Sequence, residues 1–508
     1  MKQILNIKID KIRINGTGFF LCAIAYIYIS IFVFLIGWMK YIISIPTSII
    51  LLIAIYQYYK KSKKNLENVQ PIYISMKVFL PLCFMIILLG WILGWTGFAN
   101  QTLDYPKHNA ILSDLTNKAW PVYYENNGET SMLTYYLGQY IVPSLIGKLF
   151  SSVNVAMLAY GIWAMLGLLL AVLGIFKVTK ADNSKKQIVA LGITLFFSTC
   201  LILSRVLGEL VITNQPIGTG HWFMMNDTYK LQYSSNLVLL RWVFPQCIVP
   251  WIIFTIFYDN RFDIEHYVIL CLPILFYASF SFIGMLCFLF TMVIIYGVKT
   301  KNIKLLLKKI FSPSNIIVGV TLGSILLLYF LGNVLTEKPE DISLQMAGYS
   351  GSNIWVYICF ILSVLPYTFL LFKRNKKNPF YWIATVILLI LPFFRMGLYN
   401  DFCMRVSIIP LLVYTILTID SILYEKSKIC KGIIIGIFLI GAITPIEELY
   451  TSVTNMSVEF LAGNYRYSLE STANRKMDVG NDAKYNYYTY DLEDCIFYQY
   501  LAKKKMNE

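Results

Sequence analysis

The run Thr17-Gly-Phe-Phe-Leu-Cys-Ala-Ile-Ala-Tyr-Ile-Tyr-Ile-Ser-Ile-Phe-Val-Phe-Leu-Ile-Gly-Trp38 carries no charge and follows Lys2, Lys8, Lys11 and Arg13. As a helix it matches the hydrocarbon thickness of a bilayer, about 30 Å. No cleavable signal peptide is evident, so the run reads as a signal anchor with a cytoplasmic N-terminus. The same pattern recurs along the chain. Of 508 residues, 57% are hydrophobic and 14% charged, against roughly 25% charged in soluble domains. The expected fold class is an all-α polytopic membrane protein.

Further spans are expected near 40–59, 72–98, 152–176, 188–211, 236–257, 314–333, 354–373, 379–396, 402–424 and 432–448. The run 266–297 is too long for one crossing and has cytoplasmic ends on both sides, so it reads as two short half-spans. The expected total is about 13 transmembrane helices. Lysines crowd the short loops after 59, 176, 297, 373 and 424, and the positive-inside rule places those loops in the cytoplasm. The net charge of +15 is thus a topology signal, and nucleic acid is not expected as a partner. Residues 99–131 then lie outside. A crossing at 132–150 would put Lys177, Lys180, Lys185 and Lys186 outside as well, so that segment is expected to lie on or dip into the outer face as a helix. The expected organisation is a transmembrane domain over 1–448, with 99–150 as an outer loop bearing amphipathic helices. A polar, tyrosine-rich extracytoplasmic tail over 449–508 completes it. The ten cysteines are scattered and show neither a disulfide framework nor metal spacing.

The outer loop contains Asp104-Tyr-Pro-Lys-His-Asn-Ala-Ile-Leu-Ser-Asp-Leu115, with one of the chain's three histidines. Pro106 suits the opening turn of a helix, and Asp104 can cap it. Asp104 and His108 then share one stripe, and Lys107 and Asp114 share the next. Ile111, Leu112 and Leu115 give an apolar flank able to rest on the membrane. Polar residues held against a membrane surface are the candidates for chemistry.

Four arginines break the topology rule. Arg205, Arg241, Arg395 and Arg405 all fall near the outer ends of their spans, where charge is costly. Snorkelling explains any one of them. Four at one depth form a candidate phosphate site, because the guanidinium donates two parallel hydrogen bonds and stays charged. Asp401 is placed to pair with Arg405 four residues on. Pro245 is expected to kink the helix beside Arg241. A second outer loop, Gly218-Thr-Gly-His-Trp-Phe-Met-Met-Asn-Asp227, brings His221. With Asp227, His108 and Asp104 it offers a set for a divalent cation, though no pair has zinc-type spacing. The acidic stretch at 336–341 reads as a connector or a lid. No nucleotide loop, Ser-His-Asp order or HExxH motif is present.

The segments Asp104–Leu115, Trp120-Pro121 and Asn400-Asp-Phe-Cys-Met-Arg405 resemble bacterial membrane proteins of polysaccharide-type loci. With the many-span architecture they resemble the GT-C superfamily of membrane glycosyltransferases. Two features differ: the loop follows the third span rather than the first, and Asp104 is followed by Tyr105 rather than by a second acid. The resemblance implies transfer of a sugar from a polyprenyl-phosphate donor to a saccharide, lipid or protein acceptor on the outer face of a bacterial cytoplasmic membrane. Asp104 would be the base, with His108 and Asp114 orienting it. Lys107 and the four arginines would hold the lipid phosphate, with His221 and Asp401 in support. Transport or flipping of a lipid-linked saccharide, and polysaccharide polymerisation or ligation, stand as alternatives.

Overall fold

The computed structural model describes residues 11–68, 71–97, 101, 104–126, 129–213, 220–224, 230–334, 344–349, 351–397, 399–461, 487–489 and 492–504. Asp227 and the acidic stretch 336–341 lie outside the described residues. Strand β1 (Lys11–Ile14) leads into helix α1 (Gly16–Trp38). The Asn15 side chain accepts from the Gly18 amide at 2.6 Å, satisfying one of the orphan N–H groups of a helix start. Helix α2 (Tyr41–Asn68) runs back, and β2 (Ile72–Ser75) pairs antiparallel with β1 before α3 (Met76–Ile92).

Two ends of the bundle can be told apart by contacts. At one end, Lys61 and Lys309 pair with Glu265, and Lys177 pairs with Asp259. The lysine-rich loops thus gather together, as the charge pattern requires. At the other end lie α4 (Tyr105–Asn117), the hairpin β3 (Tyr123–Asn126) and β4 (Glu129–Leu133), and α5 (Ile141–Leu149). Trp120 packs on Trp38, the last residue of α1, with ring centroids 5.5 Å apart.

The chain continues through α6 (Val153–Val178), α7 (Ser184–Phe196) and α8 (Leu201–Gly208), then the short strands β5 (Phe223–Met224) and β6 (Lys230–Leu231). Next come α9 (Asn236–Trp242) and α10 (Phe244–Asp259). The break between them at Val243 sits just before Pro245, where the sequence placed a kink. The long apolar run is also broken. Helices α11 (Tyr267–Cys271) and α12 (Pro273–Tyr277) climb to meet the outer loop, where the Phe276 carbonyl accepts from the Gly138 amide. Ala278 turns the chain, and α13 (Ser279–Thr300) returns to the lysine-rich end. A Cβ on Gly138 would lie 2.6 Å from the Tyr277 ring, so this approach requires glycine.

Helices α14 (Ile303–Ile310), α15 (Pro313–Val318) and α16 (Ser324–Val334) follow, then β7 (Gln345–Met346), α17 (Ile354–Ile361), α18 (Leu365–Asn375) and α19 (Pro379–Ile390). Strand β8 (Phe394–Arg395), α20 (Asp401–Val406), α21 (Ile408–Tyr424), α22 (Lys428–Gly441), α23 (Ile443–Leu461) and β9 (Tyr488–Thr489) complete the described chain. Among the described residues seven helices are long and apolar enough to cross a membrane, or eight if the pair α17–α18, bent by 51°, is one span. Five more apolar helices are shorter, α3, α10 and α21 among them.

Three expectations change. Helix α4 does not rest its apolar flank on the membrane: Ile111, Leu112 and Leu115 are fully buried, and the helix is packed against α5 and α6. Burial of that flank between helices removes it from lipid and water alike. Segment 132–150 is not one surface helix but the end of β4, a turn, and the nine residues of α5, since Gly138 and Pro143 interrupt it. The tail is not a separate piece either. Helix α23 carries on through residue 448 to Leu461, and β9 adds to the outer hairpin in the order β3-β4-β9. Residues 497–501 form a π-helical turn, after which the Lys503 amide donates to the Trp38 carbonyl at 2.9 Å.

Candidate functional site

Helix α4 is fastened to the end of α3 by its own first turns. The Tyr105 hydroxyl donates to the Leu93 carbonyl at 2.7 Å, and Asn109 donates to Gln101 at 2.7 Å. Gln101 in turn donates to the Gly94 carbonyl at 2.8 Å. Asp104 precedes this helix with φ −82° and ψ −24° and makes no side-chain cap. Its carboxylate is therefore not used by the helix start. Burial pushes the Asp104 carboxyl above its ordinary value, opposed by the cations Lys107, Arg405 and, after them, His221. Desolvation disfavours the charged form, and nearby positive charge only partly restores it.

Arg405 lies within electrostatic reach of Asp104 from α20. Its Nη2 pairs with Asp401 Oδ1 at 3.2 Å, the i,i+4 pair expected from sequence. Its Nε is buried and has no hydrogen-bond partner among the described residues. A buried donor without an acceptor is costly, so this atom is open to an acceptor from outside the described residues. Tyr135, Tyr136 and Tyr487 stand within electrostatic reach of the same guanidinium. Tyr135 packs on Tyr136 and on Tyr487, each at 4.6 Å between centroids, and Gln246 donates to its hydroxyl at 3.4 Å.

His108, one turn below Asp104, is occupied. Its Nδ1 lies 2.5 Å from the Tyr140 hydroxyl, and the ring also hydrogen-bonds the backbone of Trp242. Burial, followed by repulsion from Arg405, holds the imidazole down to about 3 against that backbone bond. It is neutral at physiological pH and joins α4 to α5 and α9.

Arg241 belongs to a different cluster. It is 5% exposed, and its Nη1 donates to Glu448 Oε1 at 2.9 Å and to the Glu448 carbonyl at 3.2 Å. The Trp242 indole donates to the same carboxylate oxygen at 2.7 Å, and His221 Nδ1 lies 3.3 Å from Oε2. Arg205 donates to the Gly220 carbonyl at 2.9 Å, beside His221. The expected phosphate-binding set therefore divides: Arg405 and Lys107 face Asp104, Arg241 is neutralised by Glu448, and Arg205 fixes the second outer loop. Arg395 lies on β8, opposite Gln345. Asp114 is ten residues along α4 from Asp104, about 15 Å at helical rise. It accepts from the Tyr124 hydroxyl at 2.8 Å and stands 3.8 Å from the Lys118 ammonium. It holds the hairpin onto α4 and does not meet the Asp104 cluster.

Among the described residues no group of three or more His, Cys, Asp or Glu is placed to hold a metal ion. Sequence reasoning missed Glu448, Tyr135, Tyr140, Gln246 and Tyr487. Glu448 was findable, since it is a carboxylate at the edge of an apolar run away from the lysine clusters, the criterion that singled out the arginines. The tyrosines carry no comparable signal. Comparison with protein-family models, curated proteins and solved structures found no match to this chain.

Proposed function

We propose that the chain is a GT-C-type membrane glycosyltransferase using a polyprenyl-phosphate sugar as donor. The observation that carries the reading is a half-buried carboxylate of raised proton affinity, Asp104, within electrostatic reach of a part-buried arginine, Arg405, whose buried Nε lacks an acceptor among the described residues. In this reading the shorter apolar helices also cross, giving about 13 spans. The N-terminus is cytoplasmic, and the Asp104 cluster and C-terminus are extracytoplasmic, in a bacterial cytoplasmic membrane.

The acceptor hydroxyl gives its proton to Asp104 as its oxygen attacks the anomeric carbon. The bond from that carbon to the phosphate oxygen breaks, and its electron pair leaves on the lipid phosphate. Asp104 later releases the proton to water. A raised proton affinity makes the carboxylate a stronger base. Arg405 and Lys107 neutralise the phosphate as charge develops, which a fixed cation does without reorganisation. Direct displacement inverts the sugar carbon. Tyr135, Tyr136 and Tyr487 form the aromatic wall beside Arg405, and the Glu448 cluster holds α23 against α9.

The test uses the full chain in liposomes with a panel of polyprenyl-phosphate hexoses and reads release of polyprenyl phosphate. Asp104→Asn is expected to lower the rate by about 10²–10⁴-fold, the usual worth of a positioned base. Undiminished turnover in that variant removes Asp104 from the chemistry. Relocation of the lipid-linked sugar with no new bond would assign the protein to transport instead.

A further inference from the structure

The lysine-rich end holds a cavity of about 500 Å³ whose lining includes Lys61, Asn260, Arg261, Phe262, Glu265 and Lys309. It is at the opposite end of the bundle from Asp104. Its acids are already matched. Glu265 is held by Lys61 and by Lys309, the latter at 2.7 Å. Asp259 pairs with Lys177 at 3.0 Å, and Asp263 with His266 at 2.9 Å. Arg261 is different. Among the described residues it makes no ion pair, and its guanidinium lies 5.7 Å from the Phe262 ring centroid and 5.8 Å from that of Phe380. It also lines a second, adjoining cavity of about 320 Å³. Lys299 stands over the other partner ring, 5.0 Å from the Phe262 centroid.

Helix α14 borders this cavity through Lys309. Its sequence, Ile303-Lys-Leu-Leu-Leu-Lys-Lys-Ile310, sets Ile303, Leu307 and Ile310 on the face of buried Leu306, with Lys304 and Lys308 on the other. Ile303, Leu305, Leu307 and the following Phe311 are exposed, as are Lys304 and Lys308. A short helix with an apolar face and a lysine face lies in the membrane–water interface. Basic residues there are attracted to anionic lipid surfaces. An uncommitted arginine in a cavity suits a phosphodiester, which its planar fork binds in bidentate fashion.

We propose that this cavity binds the phosphodiester headgroup of an anionic phospholipid of that leaflet, with Arg261 as its anchor and the exposed apolar residues of α14 as the seat of its acyl chains. The occupant is a lipid rather than a soluble phosphate because the apolar exposure of α14 adjoins the charged cavity.

The test titrates the full chain in detergent with phosphatidylglycerol or phosphatidylcholine of identical acyl chains and counts retained lipid by native mass spectrometry. Phosphatidylglycerol is expected to bind at least about tenfold more tightly. Arg261→Gln should weaken it by about tenfold, the scale of one charge-assisted hydrogen bond, while leaving phosphatidylcholine unchanged. Equal retention of the two lipids overturns the proposal, as does effective competition by glycerophosphoglycerol, which has the phosphodiester headgroup without the chains. Should Arg261→Gln fail to fold, the exposed pair Lys304→Gln/Lys308→Gln decides. It is expected to weaken phosphatidylglycerol several-fold, and unchanged retention overturns the proposal.

Discussion

Glu448→Gln tests the Arg241–Glu448 ion cluster most sharply. Glu448 is 7% exposed and accepts from Arg241 at 2.9 Å and from Trp242 at 2.7 Å, with His221 at 3.3 Å. Glutamine keeps an acceptor for the indole but leaves the Arg241 guanidinium, itself buried, without a counter-charge. Removing one partner of a buried pair costs about 3–5 kcal/mol. With an unfolding entropy of about 2.1 cal/mol/K per residue, a cooperative bundle of 508 residues has an entropy near 1 kcal/mol/K. The melting temperature should therefore fall by about 3–5 °C. The assay is thermal unfolding in detergent, followed by tryptophan fluorescence, on Glu448→Gln, Arg241→Met and the double variant. The double variant should lose less than the sum of the singles, because it no longer buries an unpaired charge. A Glu448→Gln protein as stable as the parent, or a double variant that is strictly additive, would refute the reasoning.

Asp104→Asn should stabilise the fold at neutral pH. Burial raises the Asp104 carboxyl above its ordinary value, so its ionisation disfavours the folded state as pH rises through the folded value. The advantage of the variant should close as pH falls below the unfolded carboxylate range, near roughly 3.9, and melting curves from about pH 3 to 8 read it directly. His108 has the opposite sign. It is held neutral, down to about 3, so the stability it contributes is present above its unfolded value, roughly 6.5, and is lost as pH falls from there toward about 3. His108→Gln should flatten that part of the stability profile, and an unchanged acid slope would contradict the assignment. Gly284→Ala places a Cβ 2.5 Å from the Val406 carbonyl, next to Arg405, and should cost about 1–3 kcal/mol by overpacking. Gly432→Ala, with nothing within 4 Å, should be neutral or gain up to about 1 kcal/mol, and the contrast between their melting temperatures checks the packing.

Much of the bundle was legible because lipid imposes one rule at a time. Apolar length marks helices such as Gly16–Trp38 and Val153–Val178, and lysine clusters mark a common end, which the Glu265 and Asp259 pairs bear out. The run at 266–297 does divide in two, as its length requires, but α13 is not a half-span: its 22 residues are long and apolar enough to cross a membrane. The Asp401–Arg405 pair followed from helical spacing alone. The cluster around Asp104 was only half legible. Asp104 and His108 share a helix face, yet one carboxylate stays uncommitted while the imidazole is spent on Tyr140 and Trp242.

The sequence by itself determined a helical membrane protein, the end at which its lysines gather, and the short list of misplaced charges. Hydrophobic length and charge bias act locally, so each run reports on itself. Only the tertiary structure decided how each of those charges is partnered. Arg241 and Arg405 look alike in sequence, but a carboxylate 207 positions away closes the first, while the second keeps a buried Nε without an acceptor among the described residues. It likewise decided that the tail supplies Tyr487 to the site through its pairing with the outer hairpin. Those contacts depend on helices meeting in space, and the free energy of a buried charge depends on its neighbours rather than on its place in the chain.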